Sequence, residues 1–509
     1  MNIKKWVVVG AIAAGCAIGF FKVQDLIMQR QQFNELKKMG EGKSMDAWTI
    51  VILGATGDLS KRKLIPAIYN GIKKGSTEAS HGLFFGAARE KITGAELLER
   101  ARPFIVGCEA PIFDYLQERT YYVPVDATKE EDFVALYNEI IKQEKAHGMS
   151  GKRLIYCALG SEYFIPVTNS LVTSGILEKG NAYHRIAYEK PFGTDVQTAR
   201  AINKDLQEKL DDDQIYRVDH YLTKELVNNI IIVRFTNSIL ERAWDASTVE
   251  RIEIDIDETL GVEGRAGFYD HYGALKDVLQ NHLLQLLALT TMERPEALTR
   301  AAMAGKKAAE LNNLVVDAGV LGQYEGYLTE KGVKPDSTTD TFVALRMHSK
   351  NPRWRGVPIF VTTGKCLASK KTEIRVIFKQ VGECFVQAPD ACANNVFTFR
   401  IQPHEGIALQ INAREPQDCR DELCRISRYG LTPVLLDFCH SCKFGPYAPE
   451  AYEILLQSIM AGDTEVGVSA QEIEAQWAVV EQLQALKLPL YPYKKGSEGP
   501  VEVEQLWKK

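Results

Sequence analysis

An uninterrupted apolar run that ends in a glycine-rich turn constrains the fold of this chain most strongly. The run Thr49–Leu53 suits a strand buried on both faces of a parallel sheet. It is followed by a turn with two glycines and by a helical pattern from Leu64 to Ile72. Glycine lets the backbone approach a pyrophosphate, and the N-terminus of a helix favours its charge. We therefore predict a dinucleotide site, although the Gly-x-x-Gly spacing also fits a plain tight turn. The predicted contacts are Gly54, Thr56, Gly57, Asp58 and Leu59.

After this turn, apolar strands alternate with helical stretches, as a doubly wound parallel sheet requires. The second predicted strand, 83–87, is followed by Arg89. An acidic residue there would bind a ribose hydroxyl, whereas an arginine suits a 2′-phosphate, so the sequence predicts NADP rather than NAD. Glu90 is adjacent, and we expect it to make this preference incomplete. Further strands are predicted at 121–125, 153–159 and 185–189, and helices at 93–105, 129–145 and 195–210.

Beyond about residue 248 the apolar period changes from helical to alternating, which indicates an antiparallel sheet with one buried face. A helix is predicted at 272–292, near the domain junction. The predicted fold class is α/β plus α+β, with a Rossmann-like doubly wound domain before a domain with a large antiparallel sheet. The predicted boundaries are 1–45 for a leader, 46–218 for the dinucleotide-binding domain, 219–495 for the substrate-binding and oligomerisation domain, and 496–509 for a flexible tail.

Two segments carry side chains suited to a reaction centre. If 217–225 is helical, His220, Tyr221 and Lys224 converge on one anionic ligand, while Asp219 points elsewhere and can orient a base. The alternative is a solvated helix start with Asp219 on the helix dipole. His282 shares a helical face with leucines, so a core histidine is the default interpretation from the residues alone.

Several long motifs follow one another along the chain in a distinctive order. They are Glu189-Lys190-Pro191-Phe192-Gly193, Asp219-His220-Tyr221, Val262-Glu263-Gly264-Arg265, Asp277-Val278-Leu279-Gln280-Asn281-His282, Arg355-Gly356-Val357-Pro358 and Gly364-Lys365. Together with the glycine turn they closely resemble the glucose-6-phosphate dehydrogenase family. The resemblance extends from Trp48 to the region around Tyr493.

The resemblance implies oxidation of glucose 6-phosphate at C1 to the 6-phosphogluconolactone, with hydride transfer to NADP, as the first step of the oxidative pentose phosphate pathway. His282 is then the general base and Asp219 the carboxylate that pairs with it. Pro191 matches a cis proline that sets the angle of Lys190 between sugar and coenzyme. The residues implied to bind the sugar or its phosphate are Lys190, His220, Tyr221, Lys224, Glu258, Asp277, Lys365 and Lys370. Their alternative roles are surface ion pairs and element-end charges.

One segment departs from the family pattern. Where the family usually has Ala-Leu-Pro-Pro near the nicotinamide, this chain has Ala158-Leu159-Gly160-Ser161, which leaves the coenzyme contacts there open. The ligands of a second, structural NADP site do not carry over. A different sugar oxidoreductase and a tethered, non-catalytic binding protein are the alternative functions.

Composition and charge limit the partners and the metal chemistry. The chain has 509 residues and 10 cysteines. Because its net charge is -5, it has no bulk attraction for nucleic acid. We expect glucose 6-phosphate as partner and a homodimer or homotetramer. The cysteines are interpreted as mostly reduced thiols and no metal is predicted, although the spacing of Cys419, Cys424, Cys439 and Cys442 raises a zinc alternative.

The amino terminus carries an apolar segment at residues 6–21. A helix of that length reaches about 24 Å, short of the hydrocarbon thickness unless flanking lysines snorkel. It fits a signal peptide, a short membrane anchor or a lipoprotein-like leader ending at Cys16, and Met45 is an alternative translation start. We expect a catalytic domain in the cytoplasm, with a possible membrane tether.

Overall fold

The computed structural model describes residues 47–75, 81–382, 392–414, 431–445, 450–463 and 466–508. The predicted leader and apolar segment 6–21 lie outside these residues, as do Cys419 and Cys424. Within the described part of the chain, no helix has the length and apolar character needed to cross a membrane.

Six parallel strands form the first sheet. They are β1 (Trp48–Leu53), β2 (Leu83–Ala88), β3 (Thr120–Pro124), β4 (Lys152–Cys157), β5 (His184–Tyr188) and β6 (Ile215–Arg217). Their order is β3-β2-β1-β4-β5-β6, and β1 pairs with β2 on one side and β4 on the other. Every residue of β1 is buried, which explains why this strand carries only apolar side chains besides Thr49. The predicted doubly wound sheet is confirmed.

Helices connect these strands and cover the sheet. They are α1 (Ile65–Lys73), α2 (Gly94–Ala101), α3 (Ala110–Glu118), α4 (Glu130–Ala146), α5 (Phe164–Thr173) and α6 (Val196–Lys209). The turn after β1 enters a π-helical segment, Ser60–Leu64, before α1 begins. Thr93 caps α2 and Asp195 caps α6, each with a reciprocal side-chain bond from the third residue of the helix.

Nine strands form the second sheet. They are β7 (Val249–Asp257), β8 (Leu314–Tyr324), β9 (Phe342–Ser349), β10 (Ile359–Gly364), β11 (Lys371–Phe378), β12 (Val396–Gln402), β13 (Gly406–Arg414), β14 (Leu431–Cys439) and β15 (Leu490–Tyr493). Most neighbours are antiparallel, as predicted, but β7 pairs with β10 and β8 with β15 in parallel. Long connections permit these crossovers, which an alternating apolar pattern does not reveal.

A helical layer packs on the second sheet and joins it to the first. Its members are α7 (Glu225–Thr236), α8 (Ser238–Ala243), α9 (Ala266–Tyr269), α10 (Leu284–Thr291), α11 (Arg300–Asn313), α12 (His440–Phe444), α13 (Ala451–Ala461), α14 (Ala470–Ala485) and α15 (Glu504–Trp507). One continuous apolar core includes residues from both sheets. The indole of Trp477 on α14 donates to Phe192 O at 2.8 Å, so the motif after β5 is fixed by the second domain.

Two predicted boundaries require correction. The helix expected at 272–292 begins as a π-helical segment, Leu275–Leu283, and continues as α10. The expected flexible tail, 496–509, instead packs through its described residues. Leu506 is buried and Trp507 stacks on Phe360 with ring centroids 4.2 Å apart. The prediction of a flexible tail was based on the charge and glycine content of this stretch, and it did not take account of the two apolar side chains that anchor it.

Candidate active site

A cavity of about 900 Å³ lies between the glycine turn of the first sheet and the helical layer of the second. The turn contributes at one end, and β7, the π-helical segment and Lys365, which follows β10, contribute at the other. Of the predicted site residues, Thr56, Arg89 and Asp219 do not line the cavity. Those that line it are Gly54, Gly57, Asp58, Leu59, Lys190, Pro191, His220, Tyr221, Lys224, Glu258, Asp277, His282, Lys365 and Lys370.

The glycine turn has the geometry that close approach of a dinucleotide needs. Gly54 adopts φ +83°, and a Cβ there would lie 2.7 Å from Ala158 O. The Gly57 amide donates to Gly54 O at 2.9 Å, which closes the turn. Arg62 Nε donates to Asp58 at 2.7 Å, so Asp58 is partly neutralised. A side chain in place of Gly54 would be strained, and the chain thus presents bare backbone to the cavity. These features fit a bound NADP.

His282 and Asp219 form a buried pair. His282 Nδ1 lies 2.5 Å from Asp219 Oδ1, and both residues are at most 3% exposed. Burial lowers the pKa of His282 and outweighs the opposing effect of Asp219. Burial alone would raise the pKa of Asp219, but His282, His220 and the Tyr221 amide bring it down to about 2. The consistent protonation state is a neutral imidazole whose Nδ1–H donates to an ionised carboxylate, which leaves Nε2 as a base.

The segment around His220 is not the α-helix that we expected. His220–Thr223 forms a 3₁₀ turn, Lys224 is extended, and α7 begins at Glu225. The Asp219 side chain accepts from the Tyr221 amide at 2.9 Å, and this local bond competes with a regular helix start.

The rings and the ammonium nevertheless lie close together. The Tyr221 ring stacks on His282 with centroids 4.3 Å apart, and His220 meets His282 edge-on at 4.4 Å. Lys224 Nζ lies 5.2 Å from the Tyr221 ring centroid and donates to Gln402 at 3.3 Å.

Charged residues from both domains meet beside this pair. Lys190 Nζ lies 3.2 Å from Asp277 Oδ1 and also bonds Asp277 O, and Lys190-Pro191 is a cis peptide. Lys365 is ion-paired with Glu258. Burial opposes ionisation of Asp277, but Lys190 and Lys365 lower its pKa to about 2. Asp277 is therefore ionised, and it lines the cavity together with Lys190, Glu258 and Lys365.

Three further cavity residues were missed by sequence reasoning. Glu189 Oε1 accepts from Tyr156 at 2.6 Å and from Tyr452 at 3.3 Å, and burial raises its pKa. Tyr452 stacks on His220 with centroids 5.8 Å apart, and Gln402 Nε2 donates to the Tyr221 hydroxyl at 3.2 Å. Glu189 had a signal in its motif beside Lys190. Tyr452 and Gln402 carried none, because each lies in an otherwise ordinary helix or strand.

The cysteines correct one expectation. Cys439 and Cys442 form a disulfide, whereas the cysteines were expected to be mostly reduced thiols. Cys439 caps α12, which brings the two Cα atoms to 5.3 Å. Cys108, Cys157 and Cys366 are free. Asp219, His220 and His282 have potential metal-ligand atoms within 4.8 Å of one another. The hydrogen bond to Asp219, however, already occupies Nδ1 of His282.

Two family models together match nearly the whole chain. Residues 51–229 match the NAD binding domain of glucose-6-phosphate dehydrogenase, and residues 231–509 match its C-terminal domain. The chain belongs to the glucose-6-phosphate dehydrogenase family. It is accordingly an oxidoreductase of carbohydrate metabolism, and the resemblance inferred from its motifs is confirmed.

Sequence relatives and solved structures of this family match this chain over most of its length. The chain is 33% identical over 487 residues to glucose-6-phosphate 1-dehydrogenase 5, cytoplasmic, of Arabidopsis thaliana, covering 91% of each chain. It is 34% identical over 479 residues to the Bacillus subtilis enzyme, covering 90% of this chain and 96% of the relative.

A glucose-6-phosphate dehydrogenase solved with its substrate glucose-6-phosphate superposes with TM-score 0.81 at 31% identity, covering 91% of this chain and 97% of the other. The Mycobacterium avium enzyme superposes with TM-score 0.78 at 33% identity, covering 91% and 96%.

Proposed function

We propose that the protein oxidises glucose 6-phosphate at C1 to 6-phospho-D-glucono-1,5-lactone in this cavity, with NADP as the hydride acceptor. The observation that carries this proposal is the buried His282–Asp219 pair, whose histidine lines the same cavity as a group of cationic and hydroxyl side chains. The family to which the chain belongs supports the substrate and the coenzyme.

His282 is the base in this proposal. Its Nδ1–H is held by Asp219, so Nε2 is free to take the proton of the C1 hydroxyl. NADP, when bound, supplies the nicotinamide carbon C4 that accepts the hydride from C1. As the proton moves to His282, the ionised Asp219 stabilises the imidazolium. The C1–H and O–H bonds break, a C1=O double bond forms, and two electrons leave the sugar.

The remaining side chains hold the reactants. His220, Tyr221 and Lys224 bind the phosphate, with Gln402 fixing Tyr221 and Lys224. Lys190, on the cis peptide, lies between sugar and coenzyme. The other proposed sugar or phosphate ligands are Glu258, Asp277, Lys365 and Lys370. On the coenzyme side, Thr56 belongs to the glycine turn, and Arg89, which follows β2, would bind the 2′-phosphate.

A substrate panel tests the proposal. Purified protein is assayed with NADP and with glucose, glucose 6-phosphate, galactose 6-phosphate and fructose 6-phosphate, following reduced coenzyme by absorbance. We expect glucose 6-phosphate to be strongly preferred. Lys224→Ala should raise KM for glucose 6-phosphate by about 10- to 100-fold because a charge-assisted hydrogen bond is lost. It should leave oxidation of unphosphorylated glucose unchanged.

Lys142→Ala is the matched control, since the Lys142 side chain is 68% exposed and pairs with Glu139 in the same helix. Preference for an unphosphorylated sugar, or an equal effect of Lys224→Ala on glucose and glucose 6-phosphate, would contradict the phosphate assignment.

For location we propose a cytoplasmic catalytic domain, as the names of the Arabidopsis and potato relatives state for those proteins. In that compartment glutathione keeps thiols reduced, so we expect the Cys439–Cys442 disulfide to be reduced in cells and to form on oxidation. Thiol labelling before and after lysis checks this.

The tether through residues 6–21 stays a prediction, and fractionation with and without residues 1–44 tests it.

A further inference from the structure

Arg89 and Glu90 follow β2 directly and place opposite charges at the proposed 2′-phosphate subsite. Both side chains are exposed. The Tyr122 hydroxyl lies 3.1 Å from Ala88 O and 2.7 Å from Glu90 O, and these contacts hold the backbone of the turn. A free carboxylate one residue from Arg89 would repel a phosphate that carries about −1.5 to −2 charges.

Glu90 is engaged by a second arginine. Arg100 donates through both terminal nitrogens, Nη1 to Oε2 at 2.8 Å and Nη2 to Oε1 at 2.7 Å. This is the bidentate geometry that gives an exposed ion pair its best chance of being populated. Hydrogen bonding to Arg100 lowers the pKa of Glu90, so the carboxylate stays ionised and paired.

The helix that carries Arg100 is fixed in place. Thr93 and Glu96 form a capping box at the start of α2, and Leu97 is buried. A Cβ at Gly86 would lie 2.4 Å from Leu97, so α2 packs directly on β2 where that strand has no side chain. Arg100 is therefore positioned by the same contacts that attach α2 to the strand before Arg89.

We propose that Arg100 determines the preference for NADP over NAD by holding Glu90 in a bidentate ion pair, so that its negative charge does not oppose the 2′-phosphate at Arg89. Arg100 is a specificity-determining residue that acts through Glu90 rather than by touching the phosphate. Other charges also act in this region: Lys61 interacts electrostatically with Glu90, and Asp126 with Arg89. Glu96 interacts with both Glu90 and Arg100. The inference depends on the proposed function, because it takes Arg89 as the 2′-phosphate ligand.

The test compares two nucleotides that differ only in the 2′-phosphate. Calorimetry gives the dissociation constants of adenosine 2′,5′-bisphosphate and 5′-AMP, and steady-state assays give kcat/KM for NADP and NAD. The variants are Arg100→Ala, Glu90→Gln and the double variant. Arg200→Ala is the control, since Arg200 pairs with Glu474 on another exposed surface.

Arg100→Ala should reduce the preference for the 2′-phosphate about three- to tenfold in both measurements, because an exposed carboxylate is freed nearby. Glu90→Gln should keep or increase the preference, and the double variant should restore it. Restoration separates the proposed role from a general loss of structure, which neutralising Glu90 would not repair.

Two results would overturn the role of Arg100. One is an unchanged preference in Arg100→Ala while wild-type protein shows a clear one. The other is a double variant as impaired as Arg100→Ala, which would mean that Arg100 acts on the phosphate directly or through the fold. If wild-type protein binds both nucleotides equally, the NADP assignment at Arg89 fails and the inference falls with it.

Discussion

At the scale of single residues, the environment of His282 decides what its ring can do. In sequence it is one polar side chain on an apolar helical face, which is why a core histidine was the default interpretation. Its partner Asp219 lies 63 residues away in the chain, and no local pattern predicts that contact. The family resemblance supplied the pairing. Tyr452 and Gln402 were not found because their site contacts are also made across long stretches of sequence.

The same pair predicts a pH dependence of kcat/KM. Because the base must be neutral, kcat/KM should rise with pH through the pKa of His282. Burial places that pKa below its usual range. The rising limb should therefore lie below the ordinary histidine value of about 6.5.

Asp219→Asn removes the group that raises the pKa of His282, so the limb should move to still lower pH while kcat falls. Wild-type and variant profiles recorded with the same substrate make this comparison, since ionisation of the sugar phosphate is common to both. A limb that moves to higher pH in Asp219→Asn would contradict the assigned protonation states.

At the scale of elements, the glycine turn was the most predictable part of the structure. A buried strand, a tight turn and a helix follow from local pattern, and β1 to β5 begin and end within two residues of the predicted strands. The short edge strand β6 was not predicted. The 3₁₀ turn at His220–Thr223 and the π-helical segment at Leu275–Leu283 were missed. Both depend on side-chain bonds and packing that compete with regular helix geometry, and residue spacing alone does not report them.

Gly54→Ala tests the turn. The new Cβ would meet Ala158 O at 2.7 Å in a left-handed conformation. We expect a loss of about 1–3 kcal/mol of unfolding free energy and a higher KM for NADP. Chemical denaturation and steady-state kinetics measure the two effects.

Gly305→Ala is the control, because Gly305 lies within α11 and a Cβ there meets nothing within 4 Å. It should be stabilising by roughly 0.5–1 kcal/mol. Equal effects of the two substitutions would show that the turn tolerates a side chain.

At the scale of the whole molecule, composition anticipated a two-part chain, but the two parts share one core. Helix α13 comes late in the chain and still packs against α1 of the first domain, and its Leu455 and Ile459 belong to the same apolar cluster as residues of β1. Such long-range docking follows from tertiary packing and not from the periodicity of either segment. It also places Tyr452 at the active-site cavity.

The edge of the second sheet bears on assembly. Strand β14 is an edge strand, and Leu435 and Leu436 on it are 56% and 54% exposed. Exposed apolar residues on both faces of an edge strand favour association with another chain. We expect a homodimer or homotetramer that Leu436→Asp dissociates, with light scattering after size-exclusion chromatography as the measurement. Val106→Asp is the control, at an exposed valine outside the sheet. A mass unchanged by Leu436→Asp would exclude this edge from the interface.

The most direct test of the account is a side-by-side measurement of turnover and sugar-phosphate binding in His282→Asn. If His282 is the base, kcat should fall by about 10²- to 10⁴-fold while the dissociation constant for glucose 6-phosphate stays within a few-fold of the wild-type value. His348→Asn, at an exposed histidine paired with Asp317, should change neither quantity. Full turnover in His282→Asn would contradict the central claim.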